Sequence, residues 1–259
     1  MDTRRIAKLL EPFLEEANGQ RPTTNDRPDN DALYKRISTY VDILLRWNDR
    51  INLTAIRTPE EIVTRHFGES LFAARLLFPT VTHVGTAAPV CPAERSSAVR
   101  AGHLKVEYGA DSQTATDDER AGAAARVADL GSGAGFPGLP IKLWALHITL
   151  TLIESNHKKA TFLREVTRAL TLTNVDIQNV PAETLPASNF DLVTLRAVER
   201  LSAILPVAAA LLAVGGRLCL LISAAQEPMV RSTLANFAWA PRVPVPSSAS
   251  RILLTGRKQ

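Results

Sequence analysis

Residues 127–140 read VADLGSGAGFPGLP, and their glycines can be grouped in two ways. Taken from Gly133, the run Gly-Ala-Gly-Phe-Pro-Gly places Gly133, Gly135 and Gly138 in the G-x-G-x-x-G pattern, in which a tight turn and a helix N-terminus cradle a dinucleotide pyrophosphate. Taken from Asp129, the run Asp-Leu-Gly-Ser-Gly-Ala-Gly is a turn for a nucleoside without phosphate. Both groupings need a strand before and a helix after, so charge must separate them. A carboxylate at Asp129, at the mouth of the strand, repels a diphosphate and attracts the ammonium and sulfonium of S-adenosylmethionine. Pro137 also removes an amide that a phosphate would use. The turn therefore favours the methyl donor over a nicotinamide cofactor.

The other residues with chemical capacity fall around this turn. Glu154 ends the next apolar run, 19 residues after Gly135, where a carboxylate accepts hydrogen bonds from ribose hydroxyls of either cofactor. Arg196 ends a later run, at the strand edge where open α/β sheets place ligands, and can hold a base edge, a phosphate or a cofactor carboxylate. Glu183 and Glu199 are the acids near enough in sequence to neutralise it instead. Lys158, Lys159 and Arg164 form a basic helix face suited to phosphates. Arg65 and His66 could touch RNA or, for His66, orient neighbouring helices. Cys91 and Cys219 stand far apart with no Cys or His cluster, so neither a disulfide framework nor a metal site is expected.

These residues need elements to position them. In residues 31–78 apolar side chains recur at spacings of three and four (Leu33, Ile37, Tyr40, Val41, Leu44), which predicts an amphipathic helix. Thr58, Pro59 and Glu61 then provide an N-cap, a first-turn proline and a capping-box partner for a second helix. Residues 82–125 lose all periodicity and carry six acidic against four basic residues, as expected of a disordered insert or linker. From residue 126 apolar runs at 126–131, 148–154, 175–180, 190–198 and 215–223 alternate with helical stretches, the pattern of a parallel sheet covered on both faces. Residues 241–259 predict two final strands around a serine-rich turn, the prolines near Val243 marking a sheet edge. The expected division is a helical region over 1–81, the insert over 82–125 and an α/β domain over 126–259. A net charge of +4 and a pI near 9.3 permit a polyanionic partner. Apolar runs too short to span a membrane, and an N-terminus unlike a secretory signal, point to the cytoplasm.

With these stretches in view, the chain resembles the small-subunit ribosomal RNA methyltransferase G family, also called glucose-inhibited division protein B. The resemblance is carried by LLRWNDRINLTAIRTPEEIVTRHFGESL (44–71), VADLGSGAGFPGLPIKL (127–143), IESNHKKATFLREV (153–166), PAETL (181–185) and LRAVERL (195–201). It implies a class I S-adenosylmethionine-dependent methyltransferase fold, Rossmann-like with a mainly parallel seven-stranded sheet, behind a small helical N-terminal region. It also implies methylation of N7 of one guanine in a 16S rRNA hairpin near the decoding site. Gly131 and Phe136 would then contact the cofactor, Glu154 its ribose, Ala182 and Glu183 the adenine, and Arg196 would serve as a cofactor and catalytic residue. The expected partner is 16S rRNA or the small ribosomal subunit, with no DNA and no membrane, and a monomeric enzyme. The chain departs from the family in the insert and in Glu69, where an aspartate is common.

The reaction agrees with the residues. Guanine N7 carries an in-plane lone pair and needs positioning rather than a general base. The TLRAVE segment lacks the Asn/Asp-Pro-Pro-aromatic element seen in amine methylation, and neither cysteine is placed as a nucleophile. Two other readings compete: a nicotinamide-dependent oxidoreductase, and a non-catalytic RNA-binding module. Cofactor titration separates the first, and the joint presence of the glycine turn, Glu154 and Arg196 weighs against the second.

Overall fold

The computed structural model describes residues 1–15, 30–79, 124–187, 190–196 and 200–259. Nearly all of the 82–125 segment, including Cys91, therefore lies outside the described residues.

The N-terminal part is helical: α1 (Thr3–Leu14), α2 (Asn30–Asn48), a single turn α3 (Pro59–Glu61), and α4 (Glu69–Leu77). The α2 stripe buries Leu33, Ile37, Tyr40, Val41 and Leu44, the set that the apolar spacing singles out. At Thr58 the cap forms. Its Oγ1 accepts from the Glu61 amide at 3.4 Å and donates to Glu61 Oε2 at 2.8 Å, so the glutamate returns to the hydroxyl rather than to the backbone.

The helix begun at Pro59 does not continue as an α-helix. Residues Ile62–Gly68 form a π-helix, and every residue from His66 to Ala74 is buried. An α-helix packed along one face cannot bury so many consecutive residues; this run, which continues from the π-helix into α4, is covered on more than one side, α1 and α2 among its neighbours. Gly68 is required within it, because a Cβ there would lie 2.6–2.8 Å from the Phe13 ring of α1.

The second part alternates strands and helices: β1 (Arg126–Leu130), α5 (Gly138–Trp144), β2 (Thr149–Ile153), α6 (His157–Ala169), β3 (Val175–Gln178), β4 (Phe190–Arg196), α7 (Leu201–Leu211), β5 (Leu212–Ser223), α8 (Glu227–Thr233), β6 (Phe237–Trp239), β7 (Val243–Pro244) and β8 (Arg251–Lys258). The sheet runs β3-β2-β1-β4-β5-β8-β6, with β7 attached to β8. Strands β1 to β5 pair in parallel, while β8 inserts antiparallel between β5 and β6. The main path thus has seven strands, and β7 is a two-residue addition at the proline-rich edge. The expected terminal hairpin is this β7–β8 pair, whereas β6 was not foreseen.

Alternation along each strand assigns the two faces. Val127, Leu192, Cys219 and Leu221 join a core shared with α1, α2, the π-helix, α4, α5 and α6. Ala128, Leu130, Val193, Leu195, Leu218 and Leu220 face the opposite core with α7 and Val230 of α8. Residues 1–80 and 124–259 form one compact unit. The helical region is therefore one covering layer of the sheet. On α5, Lys142 is 1% exposed, and its ammonium donates to the Leu146 and Ile148 carbonyls, each at 2.6 Å. Burial lowers its pKa.

Candidate functional site

Strand order reverses between β1 and β4, the switch point at which open parallel sheets form a crevice beyond their C-terminal ends. The turn after β1 bends there through Gly131, Gly133 and Gly135, with φ of 65°, 56° and 84°, a left-handed conformation that favours glycine. Gly131 donates to the Ile153 carbonyl at 2.9 Å, tying the turn to β2. Glu154, directly after β2, is buried, and its two oxygens accept from the amides of Gly133 and Asn156, both at 2.8 Å. Asn156 in turn caps α6 by accepting from the Lys158 and Lys159 amides. One carboxylate thus sets both the glycine turn and the entry to the next helix.

Beside it opens a cavity of about 190 Å³. Gly131, Glu154, Ala182 and Glu183 all line it, with Ile153, Pro181 and Ile204 as apolar walls. A carboxylate in a mostly apolar slot suits a ribose and a flat base, so these four expected cofactor residues are brought together. Phe136 is not among the lining residues. Its ring packs at 5.4 Å on Tyr40, at 4.8 Å on His66 and edge-on to Phe67 at 5.1 Å. Its side chain therefore anchors the turn to the N-terminal helices, leaving only its backbone near the turn.

Asp129 requires a correction. Its position in the sequence puts the carboxylate at the strand mouth, facing a cationic ligand; the structure buries it completely. Its Oδ1 accepts from the Thr194 hydroxyl at 2.8 Å and its Oδ2 from the Gly138 amide at 3.2 Å. Burial pushes its pKa up to about 7, against the lowering effect of these donors. Gly138 must be glycine beside it, since a Cβ would stand 2.8 Å from the Asp129 carboxylate. Asp129 holds the turn from below.

Arg196, at the end of β4, also differs from expectation in its partner. Instead of Glu183 it meets Glu69 of α4, 127 residues away, with Nε at 3.3 Å and Nη2 at 3.1 Å from Oε2; Glu199 lies outside the described residues. Its Nη2 also donates to the Arg65 carbonyl at 2.8 Å and its Nη1 to His66 Nδ1 at 2.8 Å. A guanidinium always donates, so Nδ1 is unprotonated and His66 Nε2–H donates to Thr54 Oγ1 at 2.8 Å. Both ring nitrogens are thus engaged inside the protein. Burial, reinforced by Arg196, Arg65 and Arg251, lowers the His66 pKa to about 3, so the ring is neutral. The RNA-contact expectation for His66 gives way to its orienting role, because both ring nitrogens are bonded within the protein and leave no donor or acceptor for a ligand.

Arg65 is exposed on the π-helix. Lys158 and Arg164 are exposed on α6, and Lys159 is half-buried. Two lysines in the first turn of α6 oppose its dipole, an arrangement that an anionic partner would relieve. Among the described residues no group of three His, Cys, Asp or Glu side chains is placed to hold a metal. No described helix is long and apolar enough to cross a membrane. Cys219 is buried in β5, its thiol pushed up to about 12 by burial, which removes it as a nucleophile. Three residues of this region escaped sequence reading: Tyr40, whose hydroxyl donates to the Ala134 carbonyl at 2.5 Å, Thr194, and Arg251. Tyr40 read as one more member of an apolar stripe, and neither Thr194 nor Arg251 stands in a motif.

A parallel sheet with one antiparallel strand inserted before its edge, a glycine turn after β1 and an acid after β2 define a class I S-adenosylmethionine-dependent methyltransferase fold. The chain belongs to the GidB family, rRNA small subunit methyltransferase G, whose family model matches residues 33–88 and 112–239. It is 34% identical over 196 residues to the ribosomal RNA small subunit methyltransferase G of Chloroflexus aggregans, covering 74% of this chain and 64% of that protein. It is 31% identical over 207 residues to the protein of the same name from Desulfitobacterium hafniense, covering 78% and 68%. The chain thus spans slightly under two thirds of the length of the Chloroflexus relative. Among solved structures, a ribosomal protein L11 methylase from Lactobacillus delbrueckii is similar with a TM-score of 0.46 and 21% identity, over 54% of this chain and 74% of that one.

Proposed function

We propose that this chain methylates N7 of a guanine in 16S rRNA with S-adenosylmethionine, acting as a monomer in the cytoplasm. The observation that carries the reading is the placement of Glu154. It is a buried carboxylate at the end of β2, anchored by two backbone amides and lining the slot between the glycine turn and Ala182. The donor set fits the cofactor: Glu154 accepts from ribose hydroxyls, the Gly131 backbone approaches closely without a side chain, and Ala182 with Glu183 borders the base. When bound, S-adenosylmethionine supplies an electrophilic methyl group. The protein's share is to position the acceptor, since guanine N7 has a free lone pair and no proton to lose. That requirement agrees with a buried histidine, His66, that is neutral and internally bonded, and with the inert thiol of Cys219. Arg196, held rigidly at the sheet edge by Glu69 and His66, is the proposed catalytic positioning group beside the acceptor. Arg65, Lys158, Lys159 and Arg164 are proposed to meet RNA phosphates. Residues 82–125 are proposed as a linker between the helical region, 1–81, and the domain over 126–259.

The test is direct. Purified protein titrated calorimetrically should bind S-adenosylhomocysteine and not NAD. Incubated with small-subunit RNA and methyl donor, it should add one methyl to one guanine, located by mass mapping. Binding of NAD with no binding of S-adenosylhomocysteine would overturn the reading.

A further inference from the structure

Glu69 is shared between two arginines. Its Oε2 lies 3.1 Å from Arg196 Nη2 and 3.3 Å from Nη2 of Arg251, the first residue of β8. Because β8 runs antiparallel to β5, its first residue pairs with Ser223 at the end of β5, so Arg251 reaches the same sheet edge as Arg196. Arg65, exposed on the π-helix, adds a third guanidinium to this region, and its backbone carbonyl accepts from Arg196 Nη2 at 2.8 Å. Three arginines against one carboxylate leave an excess positive charge among the described residues. Arg251 is the least satisfied of them. It donates to the Leu221 carbonyl at 3.3 Å, but its buried Nε finds no acceptor. Leaving a desolvated donor unpaired is costly.

Arg196, Arg251 and Gln226 line a small cavity of about 20 Å³. That is room for roughly one oxygen atom, not for a phosphate group. None of its lining residues borders the larger cavity beside Glu154. We propose that Arg251, with Arg196 and Arg65, forms a phosphodiester site at the sheet edge that takes one non-bridging oxygen of the RNA strand and fixes the backbone near the nucleotide to be modified. Arginine suits this role because its planar fork matches phosphate oxygens and its charge is permanent. The inference rests on the RNA reading above.

The test uses the full chain, a fluorescently labelled 16S rRNA hairpin oligonucleotide titrated at several KCl concentrations, and parallel calorimetry with S-adenosylhomocysteine. Arg251→Gln should weaken RNA binding about 5–10-fold and lower the slope of log affinity against log salt by about 0.7, the share of one single-strand phosphate contact. S-adenosylhomocysteine affinity should stay within about twofold. Arg251→Lys should recover the slope but not the full affinity, since it keeps the charge and loses the Nε donor. Unchanged RNA affinity and slope would reduce Arg251 to a second partner of Glu69 and overturn the proposal. A loss confined to S-adenosylhomocysteine would assign the oxygen to the cofactor carboxylate and overturn it equally. A wild-type protein that ignores S-adenosylhomocysteine yet binds RNA in an Arg251-dependent way would refute the methyl-transfer reading and leave the phosphate site standing. Should Arg251→Gln fail to fold, exposed Arg65 carries the same measurement: an unchanged salt slope in Arg65→Gln overturns the site.

Discussion

Glu154 has a double duty that its replacement should expose. Removing the carboxylate in Glu154→Ala leaves the Gly133 and Asn156 amides without acceptors and deletes the proposed ribose contacts. S-adenosylhomocysteine affinity measured by calorimetry should fall by about 1.5–3 kcal/mol. His66 makes a pH-dependent prediction. Its folded pKa, lowered to about 3, lies below the unfolded value of about 6.5. Its contribution to stability is therefore complete above pH 6.5 and is lost as pH falls from there toward 3, because only the unfolded state takes up the proton. The stability cost of His66→Gln, from urea unfolding, should shrink by about 2 kcal/mol between pH 7.5 and pH 5. Asp129 works in the opposite sense: its raised pKa, about 7, gives stability that is full below about pH 3.9 and is lost as pH rises through 7. Of these residues Glu154 was legible in sequence, since strand-end position and spacing from the glycines mark it. Asp129 was legible as an acid but not as a buried one, because burial depends on Thr194 and Gly138, brought to it by folding. The Arg196–Glu69 pair was invisible for the same reason.

The glycine turn and the π-helix are the two elements whose shape the site depends on. At Gly135, φ is 84° and a Cβ would collide with the Tyr40 hydroxyl and Leu139, so Gly135→Ala should destabilise the fold by roughly 1–3 kcal/mol through strain and overpacking. Tyr40→Phe acts through a hydrogen bond rather than through packing. It removes the hydroxyl that meets the buried Ala134 carbonyl, at a cost of about 1–3 kcal/mol, and should weaken S-adenosylhomocysteine binding as the turn loosens. Urea midpoints and calorimetry on the same samples check both. Parallel strands β1, β2 and β4 were legible from continuous apolar runs flanked by helical periods. The π-helix was not, because a 3.6-residue template assigns IVTRHFG to an ordinary helix. Only packing against Phe13 and the sheet reveals why five of its seven residues are buried while Arg65 stays exposed. Strand β6, three residues long, was too short to leave a pattern.

At the scale of the whole molecule, the family match skips residues 89–111. Joining residues 88 and 112 through a short Gly/Ser linker should leave urea stability within about 1 kcal/mol of wild type, since loop-closure entropy changes only logarithmically with length. Cofactor binding and methylation should persist, and a variant that folds, binds cofactor and fails to methylate would refute the linker reading. The helical region and the sheet share one core, so urea unfolding followed by far-ultraviolet dichroism and by tryptophan fluorescence should coincide in a single transition. Composition hinted at two parts, whereas the shared core comes from contacts far apart in sequence. Lys142 of α5 is buried beneath the turn that follows that helix, its amine held by the Leu146 and Ile148 carbonyls. An amine sealed between two carbonyls meets no acylating reagent until that turn lifts away. In pulse labelling with an N-hydroxysuccinimide ester, exposed Lys158 should be modified well before Lys142, whose labelling rate then reports how often the 145–148 turn lifts away, a built-in clock for local opening.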